Sequence, residues 1–205
     1  MFKLLTTLPD NVVVAFSGGL DSTAITDFLS NNHTVRCAFF HHGTENSERA
    51  FKHVTTFCED RNLPLVVGKI QNQKPKEDSM EEHWRNERYE FFNGLGDEFG
   101  PVITAHHLDD CVETYIWSAL HGNPKVIPLK RNNVIRPFLT TGKTEFWSWC
   151  QRKEIGWCED GSNTDDRFIR NYIRNKLMPH ALRVNPGLAT VVKKIVEKQL
   201  LIAVK

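Results

Sequence analysis

The sequence contains no apolar run longer than five residues, Val12 to Phe16 being one such run, whereas a membrane-spanning helix needs ~20. No membrane association is expected. The opening MFKLLTTLPD carries one lysine but meets Thr6, Thr7, Pro9 and Asp10 before an apolar stretch of ~7 to 15 residues can form, so it does not read as a secretory signal, and a cytoplasmic protein is expected. No Cys-x-x-Cys pair occurs. The five cysteines, Cys37, Cys58, Cys111, Cys150 and Cys158, are odd in number and sit largely in apolar or amphipathic segments, which favours reduced, buried thiols over a disulfide framework or a zinc site. Neither Gly-x-x-x-x-Gly-Lys-Ser/Thr nor Gly-x-Gly-x-x-Gly is present. A P-loop ATPase and a dinucleotide-binding dehydrogenase therefore both lose their defining feature. There is no internal repeat and no low-complexity tract.

What is present is the composition of an ordinary globular protein: 205 residues, 40% hydrophobic and 25% charged, enough for one sizeable core with a small appendage. The net charge of +1 is unevenly spread. From Arg167 to Lys205 nine Arg or Lys face one acid, Glu197, giving +8 and leaving −7 for residues 1–166. Such a basic segment is either a solvated helical surface or a contact for a polyanion.

The apolar pattern alternates strand and helix. Residues 11–16 read as a buried strand, 21–29 as a helix with Ala24, Ile25, Phe28 and Leu29 at helical spacing, 34–40 as a strand and 47–61 as a helix. Strand 65–70, helix 80–95, strand 101–104 and helix 108–120 follow. This order predicts an α/β fold, a parallel doubly wound sheet with helices on both faces and ligands beyond the carboxyl ends of its strands. After Gly122 a Pro- and basic-rich connector leads to helices near 143–153, 170–182 and 186–203. The expected organisation is a nucleotide-binding domain over 1–122 and a connector with a small basic helical appendage over 123–205.

Two segments carry chemistry. Ser17-Gly18-Gly19-Leu20-Asp21-Ser22 lies between the first strand and the first helix. Its glycines admit an anion close to the backbone, the helix-start amides point outward and Ser17 and Ser22 add hydroxyls, which makes a phosphate cradle. A plain Gly-Gly turn is the bland reading. Thr104-Ala105-His106-His107-Leu108-Asp109-Asp110-Cys111-Val112-Glu113-Thr114 closes the fourth strand and opens the next helix. Asp110 and Glu113, three apart, share one helix face at the same end of the sheet, where two carboxylates suit Mg²⁺ or an ammonium; compensation of the helix dipole is the bland alternative.

SGGLDS after a first strand resembles the PP-loop of the N-type ATP pyrophosphatases, and AHHLDDxxET resembles a motif of the tRNA(Ile)-lysidine synthetases. Met80 to Tyr89 is similar to that family's LExxARxxRY helix, with Glu81 and Arg85 four apart. Arg136-Pro137-Phe138-Leu139, Glu159 to Asn163, Arg167, Arg170-Asn171, Arg174 and Pro179 look like its RPLL and EDxSNxDxxxxRNxxR region. The matches run in family order over residues 12–188. The resemblance implies a fold of the adenine nucleotide alpha hydrolase type and an ATP- and Mg²⁺-dependent ligase. Such an enzyme adenylates the C2 carbonyl oxygen of the wobble cytidine of an isoleucine tRNA with a CAU anticodon; free lysine then displaces AMP to leave lysidine, pyrophosphate having departed.

It further implies ATP contacts from Ser17, Gly18, Gly19, Leu20, Asp21, Ser22 and His107, catalytic roles for Asp21, Asp110, Glu113 and Arg85, and metal ligation by Asp21 and Asp110. Arg167, Arg170, Arg174 and Lys176 are implied as contacts to RNA phosphates. The chain departs from the pattern in its short connector between His121 and Arg136, in Cys111, in His41-His42 and in ending at Lys205, where family members usually continue into further tRNA-binding domains. A compact member is expected. The alternatives are another PP-loop tRNA enzyme such as a thiolase, for which the usual cysteine signals are missing, and a non-catalytic RNA- or nucleotide-binding relative.

Overall fold

A computed structural model describes residues 2–77, 79–159, 166 and 168–203. Its centre is a six-stranded sheet in the order β3-β2-β1-β4-β6-β5. The strands are β1 (Asn11–Ala15), β2 (Thr34–His41), β3 (Leu65–Lys69), β4 (Val102–Ile103), β5 (Lys130–Arg131) and β6 (Val134–Ile135). All neighbours run parallel except β5, which is antiparallel to β6.

The helices are α1 (Leu20–Ser30), α2 (Glu45–Asp60), α3 (Met80–Phe99), α4 (Leu108–Leu120), α5 (Lys143–Arg152), α6 (Ile169–Tyr172), α7 (Met178–Val184) and α8 (Leu188–Ala203), with a π-helical turn, Ile173–Leu177, joining α6 to α7. No helix among the described residues is long and apolar enough to cross a membrane.

The continuous apolar run of β1 follows from covering both faces of the sheet. Val12, Val14 and Phe16 point into one core with Phe28, Val54, Phe138 and Phe146, whereas Val13 points into a second core with Phe92, Leu95 and Val102 on the α3 side. Cys37, Cys58, Cys111 and Cys150 are free and buried, and Cys158 is free and partly exposed.

Three local features differ from the sequence reading. α3 runs on through Gly94 and Gly96 to Phe99 instead of stopping at Leu95. Gly96 is a packing glycine: a Cβ there would stand 2.3 Å from the Cβ of Asn133. The helix ends at Gly100, which has φ +108°, a conformation that favours glycine. The connector forms the β5–β6 hairpin and carries the chain back to the sheet beside β4. Helix 170–182 is in fact a continuous helical arm from Ile169 to Val184 containing the π turn.

Candidate active site

β1 delivers the chain to Ser17 and Gly18 at the carboxyl edge of the sheet. Gly18 has φ +81°, and a Cβ on it would lie 3.1 Å from Val54 Cγ2 and 3.4 Å from the Ala50 carbonyl oxygen, so both backbone and space call for glycine there. Gly19 stands at the N-cap of α1 with φ −74°, and that helix start has no side-chain cap. Its first amides are open to an anion. Ser17 Oγ and Ser22 Oγ lie 3.0 Å apart, Ser22 Oγ donates to the Gly19 carbonyl at 3.0 Å, and the Cys158 amide donates to the Gly18 carbonyl at 2.8 Å. The loop is thus held from within and by the chain beyond α5.

His107 ties this loop to α4. The ring is 1% exposed; its Nε2 lies 3.5 Å from Asp21 Oδ2 and 3.7 Å from Asp110 Oδ2, and its Nδ1 lies 3.5 Å from Asp109 Oδ2. Burial favours the neutral ring, but hydrogen bonds to Asp109 and Asp21 and the charges of Asp110 and Asp21 outweigh it and raise the pKa to about 10. The ring holds Asp21 and Asp110 at its Nε2 edge, while its Nδ1 accepts the Asp110 amide at 3.4 Å. It sits beneath the loop rather than on its surface. Asp109 accepts the Lys143 amide at 2.9 Å and so fixes the start of α5 as well. Neighbouring His106 behaves oppositely: loss of hydration, together with the charges of Arg136, Arg170 and Arg88 and against that of Asp110, lowers its pKa to about 3.

Asp110 and Glu113 do share one face of α4, and the arginines expected on RNA phosphates meet them there. Arg170 places Nη2 2.7 Å from Asp110 Oδ1 and Nε 3.0 Å from Glu113 Oε2. Arg174 places Nη2 3.3 Å from Asp110 Oδ1 and bonds Glu113 Oε1 through Nε. The carboxylates are 9% and 3% exposed, Arg170 48% and Arg174 25%. Both oxygens of Asp110 are committed, Oδ2 accepting the His107 amide at 3.0 Å. Burial works against ionisation of Asp110, but the charges of His107 and Arg170 prevail and hold its carboxyl well below the usual range. Asp21 differs: its Oδ1 is buried and has no hydrogen-bond partner.

The other expected residues lie apart. Arg85 is exposed on α3 with its guanidinium 5.6 Å from the Tyr89 ring, and no described contact joins it to Asp110 or Glu113. Lys176 pairs with Asp166 at 3.2 Å. Arg167 and residues 160–163 lie outside the described residues. Of the departures from the motif, Cys111 faces the core packed by α8, and burial pushes its thiol up to about 12. His42 packs its ring against Trp84. Asp109, part of the doubled aspartate of the motif but assigned no role from sequence, is the residue that joins His107 to the start of α5. Arg136, which opens the RPLL-like stretch, is buried and bonded through Nη2 to Tyr89 Oη at 3.0 Å; that pairing joins positions 47 residues apart and has no local signal.

Among the described residues no cluster of three or more His, Cys, Asp or Glu side chains is arranged to hold a metal ion. Mg²⁺ does not require one, because it binds through one or two carboxylates together with phosphates and water. The unpartnered Asp21 Oδ1 beside the loop hydroxyls fits that donor set.

Comparison with known proteins agrees with this architecture. Residues 3–181 match the family described as PP-loop domain. The tRNA(Ile)-lysidine synthase of Vibrio vulnificus is 29% identical over 197 residues, covering 89% of this chain and 45% of that protein. The tRNA(Ile)-lysidine synthase of Legionella pneumophila is 31% identical over 191 residues, covering 87% and 44%. The chain thus spans less than half the length of these relatives. Among solved structures, a U34-tRNA thiolase from Methanococcus maripaludis superposes with a TM-score of 0.71 at 14% identity, covering 94% of this chain and 74% of that one. An NH3-dependent NAD synthetase from Campylobacter jejuni superposes with a TM-score of 0.54 at 16% identity, covering 94% and 86%. At such identities the likeness is one of fold.

Proposed function

The chain belongs to the PP-loop family, and from that premise we propose that it is an ATP-dependent tRNA-modifying ligase that converts the wobble cytidine of a CAU-anticodon isoleucine tRNA to lysidine, with free lysine as nucleophile. One observation carries the reading: the uncapped start of α1, the hydroxyls of Ser17 and Ser22 and the unpartnered oxygen of Asp21 converge at one edge of the sheet, where His107 also draws in Asp110. The names of the tRNA(Ile)-lysidine synthases matched over most of this chain support a tRNA acceptor.

On this reading the amides of Gly19 and Leu20 and the two serine hydroxyls bind the ATP phosphates and stabilise charge developing on departing pyrophosphate. Asp21 would hold Mg²⁺, which when bound neutralises phosphate charge. His107 positions Asp21 and keeps negative charge ordered beneath the loop. Asp110 and Glu113 form a cation-binding pair; the guanidiniums of Arg170 and Arg174 already use it, and an ammonium of the lysine substrate has matching charge. The carbonyl oxygen of cytidine is a poor leaving group until adenylated. Anticodon bases are single-stranded, so turning one toward the loop requires no duplex opening.

Mass spectrometry of nucleosides from tRNA incubated with the protein, ATP, Mg²⁺ and lysine tests the proposal. A lysine-dependent lysidine product, lost in Asp21→Ala, is expected. Pyrophosphate release without lysidine would redirect the chemistry to another acceptor or nucleophile, and absence of both would sink the catalytic reading.

A further inference from the structure

Apart from the carboxylate centre lies a second, positively charged hollow that the mechanism above does not use. A cavity of about 380 Å³ opens between the first turns of α3 and the β5–β6 hairpin, lined by Ser79, Glu82, Arg85, Asn86 and Arg131. Behind it Tyr89 is ringed by three guanidiniums, with Arg85 and Arg131 each 5.6 Å and Arg136 6.0 Å from its ring centre.

Arg136 is the unusual member. It is 2% exposed and donates through Nη1 to the Pro128 carbonyl and through Nη2 to Tyr89 Oη, each at 3.0 Å, while its buried Nε has no partner. Its hydrogen-bonded acceptors are neutral. Among the described residues no carboxylate forms an ion pair with Arg136, Arg85 or Arg131. A buried guanidinium without a counter-charge is costly, and here two more cations stand on the same ring.

Burial opposes ionisation of Tyr89, but the charge and hydrogen bond of Arg136 and the charges of Arg85 and Arg88 outweigh it and lower its pKa. Among the described residues Glu82 is the acid that lines the hollow, against Arg85 and Arg131 on its walls and Arg136 behind it. Such a site calls for an anion.

We propose that this cavity is a phosphodiester subsite for the RNA substrate, holding the backbone of a nucleotide next to the one that is modified. The inference rests on the RNA-modifying reading of the candidate active site. Two features favour a nucleotide over a free small anion. The volume lies within the ~300 to 1,000 Å³ of small-molecule pockets, far more than a phosphate fills. The elements that form the hollow also flank the path to the carboxylate centre: α3 packs on β4 and β6, and β4 leads through His106 into α4. Arg85 and Arg131 present planar, forked donors suited to two phosphate oxygens. Arg136 supplies charge from behind, and Ser79 and Asn86 offer neutral polar groups at the rim.

The test is anisotropy of a fluorescein-labelled anticodon stem-loop RNA bound to the full chain across a salt series, comparing wild type, Arg131→Gln and Lys52→Gln, with inorganic phosphate as a second probe. Lys52 is an exposed cation on α2, remote from the cavity. Arg131→Gln should weaken RNA binding roughly tenfold and reduce the slope of log affinity against log salt by about 0.7, the contribution of one single-strand phosphate. Lys52→Gln should track wild type. Wild-type RNA binding that Arg131→Gln leaves intact overturns the subsite alone, as does an equal loss in Lys52→Gln. Loss of phosphate binding with RNA affinity retained assigns the cavity to a small anion and also overturns the proposal. A wild-type protein that binds no RNA overturns the RNA-modifying reading itself.

Discussion

At the scale of single residues, the ionisation of His107 has a directional consequence. Its pKa is raised from 6.5 to about 10, so the stability it contributes is fully present at and below pH 6.5 and is lost as pH rises through 10. The stability difference between wild type and His107→Gln, measured by urea denaturation, should therefore be largest near pH 6 and shrink steadily toward pH 10. A gap independent of pH in that window would show that the ring is not an imidazolium. Single residues were legible in the sequence where the site is built from neighbours along the chain. Ser17 to Ser22 and His107 to Glu113 are contiguous, and a strand followed by a helix start aims them at one edge. Tyr89 with Arg136, and Asp110 with Arg170, escaped because their partners are 47 and 60 residues away. Nothing in the local pattern distinguishes an arginine that will meet RNA from one that will meet a carboxylate.

At the scale of elements, the helical arm from Ile169 to Val184 is secured to α4 through charge. Arg170 and Arg174, one helical turn apart, both reach Glu113, whose side chain is 3% exposed. Glu113→Gln leaves the two guanidiniums to share one carboxylate, Asp110, and should cost about 1–3 kcal/mol, with faster amide hydrogen exchange confined to the arm and its contact on α4. Exchange that rises uniformly over the protein would mean that the arm is not held by this pair. The helices were readable because their apolar residues repeat at 3.6 and their polar faces are wide. β5 and β6 were not readable, because two residues each are too few to display alternation. Gly94 and Gly96 misled in the opposite direction: glycine normally weakens a helix, but at position 96 close packing on Asn133 favours it.

At the scale of the whole molecule, the doubly wound sheet was legible because central β1 is apolar from Val12 to Ala15 and short apolar runs alternate with amphipathic helices in the order of a parallel sheet. The sheet has two ends of unequal character. β5 at one end is two residues long, and both, Lys130 and Arg131, are charged and exposed. A strand so short and so positive offers little to a second sheet. β3 at the other end presents five residues, Leu-Val-Val-Gly-Lys, and Val67 is 36% exposed. Val67→Lys should delay light scattering on heating while shifting stability by no more than about 0.5 kcal/mol; unchanged scattering would place the vulnerable edge elsewhere. The unequal ends give the molecule a polarity in how it fails. Clumping of partly opened chains should propagate from the β3 side, whereas the β5 side, which bears the arginine-ringed hollow, stays free of such contacts because like charges meet there.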